Sequence, residues 1–363
     1  MNRIIIIGNG FDRAHKMPIS DAEFVYWYFK NIFDNLMRQT EYSDKLCEIQ
    51  ITEDFKQVLL KQVRSSGKNC FEYFYDNIDS FQLKINDLFR NIIKAVDTRK
   101  AVDMEDEYYY LLKNAVKKGN IQKSKELNIQ LKDLLSKYIE YLKEIQTDFL
   151  SNCDANEAIR KIFSSEIDKD DVSVEWGGRL INKFEHWNNS EKNIWVPERT
   201  LVLNFNYTQF AEMKYLNGLA GFENIYIHGN ISKPDSILFG YGDELDDDFH
   251  ELLEKNNNEL LMNNKSIRVL ENDNYRKLLR FIYSGPYQIL ILGLSCGKSD
   301  RTLLNTIFEH NNCFSIKPYY HKRNDDSDNY LEIIQNITRC FTDAKMVRDR
   351  VVSKERCSQL PQK

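Results

Sequence analysis

Arg3-Ile-Ile-Ile-Ile-Gly-Asn-Gly-Phe-Asp12 decides the frame of the chain: four β-branched residues in a row break at a Gly-x-Gly turn before helix-permissive sequence begins. Such a run reads as a buried strand entering a tight turn. Gly8 and Gly10 can take positive φ and let a ligand touch the backbone, and a helix starting there would aim unpaired N–H groups at an anion. The third glycine of the dinucleotide fingerprint is missing, so on this stretch alone a tight turn without a ligand is an equal reading.

Four later runs have the same form, hydrophobic first and small or polar at the C-terminal end. They are Leu201-Val-Leu-Asn-Phe-Asn-Tyr-Thr208, Asn224-Ile-Tyr-Ile-His-Gly-Asn230, Gln288-Ile-Leu-Ile-Leu-Gly-Leu-Ser-Cys-Gly-Lys-Ser-Asp300, and Cys313 to Tyr320. Helical sequence follows at Gln209 to Leu216, Arg301 to His310 and Tyr330 to Ile337. Strand and helix in alternation predict an α/β protein with a doubly wound, mostly parallel sheet, whose strand ends share one edge where ligands bind. Gly8, Asn206, His228 and Ser295, far apart in sequence, would then line one pocket.

Between the first strand and the second lies a different kind of sequence. Pro18-Ile19-Ser20-Asp21 reads as a turn with a helix N-cap, and Phe24, Tyr28, Ile32 and Leu36 follow at helical spacing over Ala22 to Met37. From about Thr52 to Phe149 glycine is rare and proline absent, with periodic Phe81, Ile85, Leu88 and Ile92, then Leu127, Leu131, Leu134 and Tyr138. The pattern predicts a large helical insertion over 51–194, flanked by an α/β domain at 1–50 and 195–345, with a C-terminal tail at 346–363. The insertion's apolar stripes read as packing layers, and the Lys-rich stretch from Lys113 to Lys125 as a solvated face. The pattern changes past the acidic stretch Asp168 to Val174. Asp243 to Asp248 and the Asn-rich Asn256 to Asn264 read as solvated acidic loops near the pocket mouth.

Composition sets the outer bounds. A chain of 363 residues with 42% hydrophobic and 12% aromatic content can bury a large core. A net charge of −5 gives no overall pull toward nucleic acid or an anionic membrane, so neither is indicated as a partner. Seven cysteines form no C-x-x-C pair and no Cys/His zinc spacing, which fits free thiols in a reducing cytoplasm and no metal. The first apolar run is too short for a signal peptide or a membrane span. The expectation is a soluble, cytoplasmic protein.

Taken together, these motifs resemble the AbiH family of bacteriophage abortive-infection proteins. Ile-Ile-Ile-Gly-Asn-Gly-Phe-Asp at 5–12 with the Pro-x-Ser turn and an aromatic helix, Asn-Phe-Asn-Tyr-Thr at 204–208, Ile-His-Gly-Asn at 227–230 and Leu-Gly-Leu-Ser-x-x-x-x-Asp at 292–300 occur in that family's order. One departure is Leu294, where the family commonly has histidine. More distantly, the same order is similar to the sirtuin-like NAD-binding domains of defence NAD hydrolases. That similarity implies a sirtuin-like or Rossmann-like sheet, NAD as substrate, and an NAD glycohydrolase-like activity with Asn206 and His228 as the catalytic pair. It implies nucleotide contacts from Gly8, Asn9, Gly10, Phe11, Asp12 and Tyr207 at one end and from Gly293, Ser295 and Asp300 at the other. Asn9 and Thr208 depart from the alanine and aspartate usual in such domains, and the zinc cysteines of deacylating sirtuins are absent. Abortive infection further implies a partner, either a second copy of the chain or another defence-system component.

The chemistry can be stated from the residues. Cleaving a nicotinamide riboside bond passes through a cationic, oxocarbenium-like state, which asks for a held ribose, an oriented water and one proton acceptor. His228, with an ordinary histidine pKa of about 6.5, can take that proton. The Asn206 amide can fix the water or a ribose hydroxyl, and Asp12 can bind a hydroxyl or cap the first helix. His15, His186, His250, His310 and His321 show no grouping beyond core or surface placement.

Two other classes compete. Gly293-Leu-Ser295-Cys-Gly297 fits the G-x-S-x-G elbow of serine hydrolases, with Asp300, His321 and Asp325 downstream. That fold needs serine, acid, histidine in this order, and His321 precedes Asp325. The third class is a non-catalytic nucleotide sensor that relays binding through the helical insertion.

Overall fold

The continuous apolar runs become one sheet because both of its faces are covered. The computed structural model of the chain describes residues 1–54, 56–57, 70–77, 83–98, 102–173, 194–242, 244 and 246–363. Phe81, Val174, His186 and Asp243, used above, lie outside the described residues. The sheet has five parallel strands: β1 Asn2–Ile7, β2 Thr200–Asn204, β3 Phe222–Tyr226, β4 Tyr287–Leu292 and β5 Cys313–Tyr319. Their order across the sheet is β5-β4-β1-β2-β3, so the chain is mixed α/β and the direction of winding reverses at β1. Every residue of β1, β2 and β4 is buried, which is why these strands lack the alternation of a half-solvated sheet.

The register puts the strand ends in line. Ile7 lies opposite Asn204 and Leu292, Asn204 opposite Tyr226, and Leu292 opposite Tyr319. Gly8, Phe205, Ile227, Gly293 and Tyr320 therefore leave the sheet at one level.

Helix α1, Asn9–Ala14, follows β1 directly, and α2, Asp21–Arg38, starts at Ser20 with a full capping box closed by Glu23. Phe24, Tyr28, Ile32 and Leu36 are all buried on α2, as their spacing predicts. Helix α3, Gln122–Asn152, buries Leu127, Leu131, Leu134 and Tyr138. On one face of the sheet Ile4, Ile6, Leu203, Ile289 and Ile291 form a core with α4 (Asn274–Tyr283), α5 (Arg301–Phe308) and α6 (Tyr330–Arg339). Each such side chain contributes roughly 1.5–3 kcal/mol of burial. The free edge of β5 is covered by bridges from Val351 and Gln359, which leaves no long unpaired strand there.

Packing divides the chain into two units. One, Met1–Pro18, Leu142–Glu254 and Asn263–Lys363, holds the parallel sheet. The other, Ile19–Tyr141 and Lys255–Met262, holds α2 and a three-stranded antiparallel sheet of Glu41–Ser43, Cys47–Gln50 and Leu83–Ile85.

Two local expectations need correction. Ile85, placed in a helical stripe by its spacing, is a strand residue, because a three-residue strand is too short to show its own period. The helical expectation over Gln209 to Leu216 holds from Phe210 on, with a π-helical turn at Glu212–Leu216. The Asn-rich stretch is not a loop: Asn257 caps helix Asn258–Leu261 and Asn264 caps helix Lys265–Arg268 through their side chains. Asparagine accepts from free N–H groups at helix starts, so a polar run can spell caps. Cys47, Cys153, Cys296, Cys313, Cys340 and Cys357 are buried free thiols. Among the described residues no helix is long and apolar enough to cross a membrane.

Candidate functional site

At the end of β1 the chain passes through Gly8 in an extended conformation (φ −128°), and Gly10 is not in the left-handed region either. The expectation that these glycines supply positive φ is therefore overturned. They permit a close approach instead. A Cβ on Gly10 would come within 2.7 Å of the Gly293 carbonyl oxygen, and a Cβ on Gly293, which does have φ +75°, within 2.1 Å of the Phe11 nitrogen. The turn after β1 and the turn after β4 thus lie backbone against backbone. The Gly8 and Gly10 N–H groups donate to the Leu292 and Gly293 carbonyls, and Phe11 N–H to Gly8.

Around this contact stand two groups of buried polar side chains. The first belongs to β1 and β2. Asp12 is inside α1 rather than at its cap, which is Gly8, and has no solvent exposure. Thr208 Oγ1 donates to Asp12 Oδ2 at 2.5 Å, and Asp12 Oδ1 has no hydrogen-bond partner among the described residues. Burial pushes the Asp12 carboxyl up to about 7, against the opposing pull of Thr208 and the neighbouring Asn206 amide. Asn206 is 2% exposed, and neither its Oδ1 nor its Nδ2 is hydrogen-bonded among the described residues. Its own N–H is tied to Asn204 Oδ1, which holds the loop in place, and its side-chain amide lies beside Asp12 and favours the charged form of that carboxyl. A buried primary amide is costly unless it is paired, so the Asp12–Asn206 pair is a polar group that a ligand or water can complete.

The second group belongs to the ends of β3 and β4. His228 is 4% exposed, with Phe205 edge-on to its ring at 5.3 Å and Gly229 turning the chain behind it. Its Nε2 lies 3.3 Å from Asp300 Oδ1, and Lys265 Nζ lies 3.6 Å from the same oxygen. Both contacts are within ion-pair reach without hydrogen-bond alignment. Burial lowers the His228 pKa to about 4; Asp300 opposes the shift and Lys265 adds to it. His228 is therefore neutral at physiological pH and able to accept a proton. With Ser299 and Thr302 these residues line a cavity of about 120 Å³. That is well under the roughly 300–1,000 Å³ of a pocket enclosing a whole small ligand, so the cavity has room for only part of one.

The two groups share the edge of the sheet, but no hydrogen bond or ion pair joins Asp12 or Asn206 to His228 among the described residues. The other sequence candidates are dispersed. Phe11 is fully buried in a ring cluster with His15 and Tyr215 at 5.1 and 5.5 Å. Tyr207 donates to the Leu238 carbonyl, Asn9 is exposed, and Gly293 packs on the β1 turn. Ser295 is exposed, and its hydroxyl has no histidine or carboxylate hydrogen-bonded to it among the described residues. Sequence reasoning missed Lys265 and Ser299. No sequence signal marks Lys265, since its burial follows from the cap at Asn264 and the fold around it. Among the described residues no group of three or more His, Cys, Asp or Glu is arranged to hold a metal ion.

A family model described as bacteriophage abortive infection AbiH matches residues 4–321. No curated protein matches the chain.

Proposed function

Because the chain belongs to the AbiH family of bacteriophage abortive-infection proteins, we propose that it carries out that role by hydrolysing NAD or a related nucleotide at the N-glycosidic bond. The observation that carries the reading is the strand order. Winding that reverses at β1, with strands counted 3-2-1-4-5, is the order of sheets that take a dinucleotide in the crevice beyond their carboxyl ends. Asn206, its buried amide beside Asp12, stands at that edge.

In the proposed reaction the bond from ribose C1′ to the nicotinamide nitrogen breaks, nicotinamide leaves with the bond electrons, and a water oxygen bonds to C1′. The proton of that water goes to His228, neutral because burial disfavours its charged form. Asp300 holds the ring and offsets the imidazolium that forms, while Lys265 keeps that carboxylate anchored. Asn206 orients the water or a ribose hydroxyl, and Asp12 accepts from or donates to the sugar. The remaining binding candidates, Gly8, Asn9, Gly10, Phe11, Tyr207, Gly293 and Ser295, stand as proposals for the nucleotide's flanks.

The absence of a direct bond between His228 and Asn206 among the described residues favours a second reading, in which nucleotide binds without being consumed. Incubating the purified chain with NAD and separating the products by chromatography distinguishes the two. Equimolar nicotinamide and ADP-ribose, lost in His228→Ala, supports hydrolysis; NAD that binds and is recovered intact overturns it in favour of sensing.

A further inference from the structure

The two edges of the parallel sheet end differently. Bridges from Val351 and Gln359 cover β5, whereas β3 pairs with β2 alone and has no strand on its outer side among the described residues. The ladder shows which backbone groups this leaves open. Thr200 N–H donates to the Gly221 carbonyl and Ile227 N–H to the Asn204 carbonyl, so Gly221, Glu223, Ile225 and Ile227 turn their main-chain groups toward β2. Phe222, Asn224 and Tyr226 then turn theirs outward. The Tyr226 carbonyl accepts from Gly229 N–H and from the Asn274 amide. The remaining outward N–H and C=O groups make no hydrogen bond among the described residues.

Sheet edges are commonly guarded against pairing by lysine, proline, a bulge or an unneutralised charge. The sequence Phe222-Glu-Asn-Ile-Tyr226 has no lysine and no proline, and its register against β2 runs without a break. Its one charge, Glu223, is exposed and paired with Arg199 on the neighbouring strand's approach. The connection that leads into β3 also exposes Met213 and Leu219, 46% and 45% accessible. A row of alternating donors and acceptors has one general complement, another extended strand.

We propose that β3 pairs antiparallel with β3 of a second copy of this chain, across a two-fold axis at Asn224, so that two sheets join into one. A two-fold makes the row its own complement, and charge selects the register. With the axis at Asn224, the two Asn224 residues exchange both main-chain hydrogen bonds, because both turn those groups outward. Phe222 then stands opposite Tyr226 of the second copy, an aromatic cross-strand pair on each side of the axis, and Glu223 stands opposite Ile225. An axis one residue earlier would set Glu223 against itself, like charge directly facing like charge. In the chosen register each Glu223 keeps its own Arg199, so neutral pairs meet across the axis. A strand pair of this length is small against the roughly 1,000 Å² of stable interfaces, so the dimer forms at micromolar rather than nanomolar concentration. The inference concerns assembly and does not rest on the cleavage reading.

The test is sedimentation equilibrium of the purified full chain from about 1 to 100 μM, with hydrogen exchange read by mass spectrometry at both ends of that range. A monomer–dimer equilibrium is expected, with the amides of Phe222, Asn224 and Tyr226 protected at high concentration and exchanging at low. Asn224→Pro removes an N–H that β2 does not use, so it should melt close to the parent and weaken the dimer at least about tenfold. Asn224→Lys keeps the backbone and sets two like charges face to face at the axis; it should weaken the dimer by a similar factor and keeps the test usable if proline disturbs folding. A chain that stays monomeric at the highest concentration overturns the inference. So does a dimer that Asn224→Lys leaves intact, or one whose formation protects other amides and not these. A dimer formed through β3 by a protein that releases no nicotinamide leaves this inference standing and removes the cleavage reading.

Discussion

Asp12, after β1, and His228, after β3, sit beyond the carboxyl ends of one sheet with β2 between their strands, each almost wholly buried, and burial moves their proton equilibria in opposite directions. The Asp12 carboxyl rises to about 7 and the His228 imidazole falls to about 4, because a low-dielectric site disfavours whichever form carries charge. What distinguishes them is company. Asp12 has a hydroxyl and an amide beside it, whereas His228 has a carboxylate anchored by a lysine. A neutral carboxyl near pH 7 can donate as well as accept; a neutral histidine can only be a ready base if something nearby welcomes its charge afterwards. Asp300 is that group. Within the proposed reaction the difference gives sugar binding to the residues that follow β1 and β2 and proton transfer to those that follow β3 and β4.

The harshest way to break this comparison is to separate the two turns. Gly293→Ala would put a Cβ 2.1 Å from the Phe11 nitrogen at a backbone φ of +75°, so both sides lose their frame. The expected loss is more than about 4 kcal/mol, in the range reserved for steric and backbone failures, and a urea melt measures it. A variant that melts like the parent would show that the turns do not depend on their contact.

Next in size is His228→Ala, expected to lower nicotinamide release by roughly a hundred- to ten-thousandfold, the usual contribution of a general base. Its 4% exposure means that some stability goes too, about 0.5–3 kcal/mol. Leu203→Ala serves as the control: it is fully buried in the sheet core, should cost about 2–5 kcal/mol, and should lower activity only through unfolding. Full cleavage by a folded His228→Ala protein would return this histidine to a packing role.

The pH dependence sharpens the contrast directly. Asp12, raised in the folded state, contributes stability that is complete below its unfolded value of 3.8 and is lost as pH rises through about 7. His228, lowered in the folded state, contributes stability that is complete above its unfolded value of 6.5 and is lost as pH falls through about 4. The two slopes oppose each other across nearly the same window. Denaturant melts between pH 4 and 7.5 should show Asp12→Asn gaining about 4 kcal/mol on the parent as pH rises, at about 1.4 kcal/mol per pKa unit, and His228→Gln falling behind by about 3. Differences against the parent cancel other buried groups such as Asp21, which burial also raises, to about 8. Parallel curves for all three proteins would mean that neither group changes its proton equilibrium on folding.

The smallest effect belongs to Ser295. Ser295 is exposed, and if it flanks the proposed nucleotide its replacement by alanine should move KM by about tenfold at most, leave kcat in place and change stability by less than about 0.5 kcal/mol. Abolished activity, or covalent labelling of Ser295 by a fluorophosphonate, would revive the serine-hydrolase reading.

The five strands of the parallel sheet could be read from the chain by itself, because strands buried on both faces need uninterrupted apolar residues, and Ile4 to Ile7, Leu201 to Leu203 and Ile289 to Leu292 can satisfy that demand in few other ways. The same logic reached α2, where Ser20 and Glu23 spell the capping box and the apolar spacing spells the buried face. His228 and Asp300 were visible as polar residues just past strand runs, but not as neighbours, since 72 residues of sequence separate them and only the pairing of β1 with both β2 and β4 brings the ends of β3 and β4 to one edge. The short strand at Leu83–Ile85 was hidden because three residues cannot establish a period, and the burial of Lys265 was hidden because a lysine after an asparagine spells surface until a fold closes over it. The glycines show the division most plainly. Their presence at 8, 10 and 293 announced tight turns, but whether the missing side chains make room for a ligand or for another turn depends on what stands opposite, and here each turn stands opposite the other. Local sequence determines which conformations a residue can take; what fills the space beside it is set by distant parts of the chain.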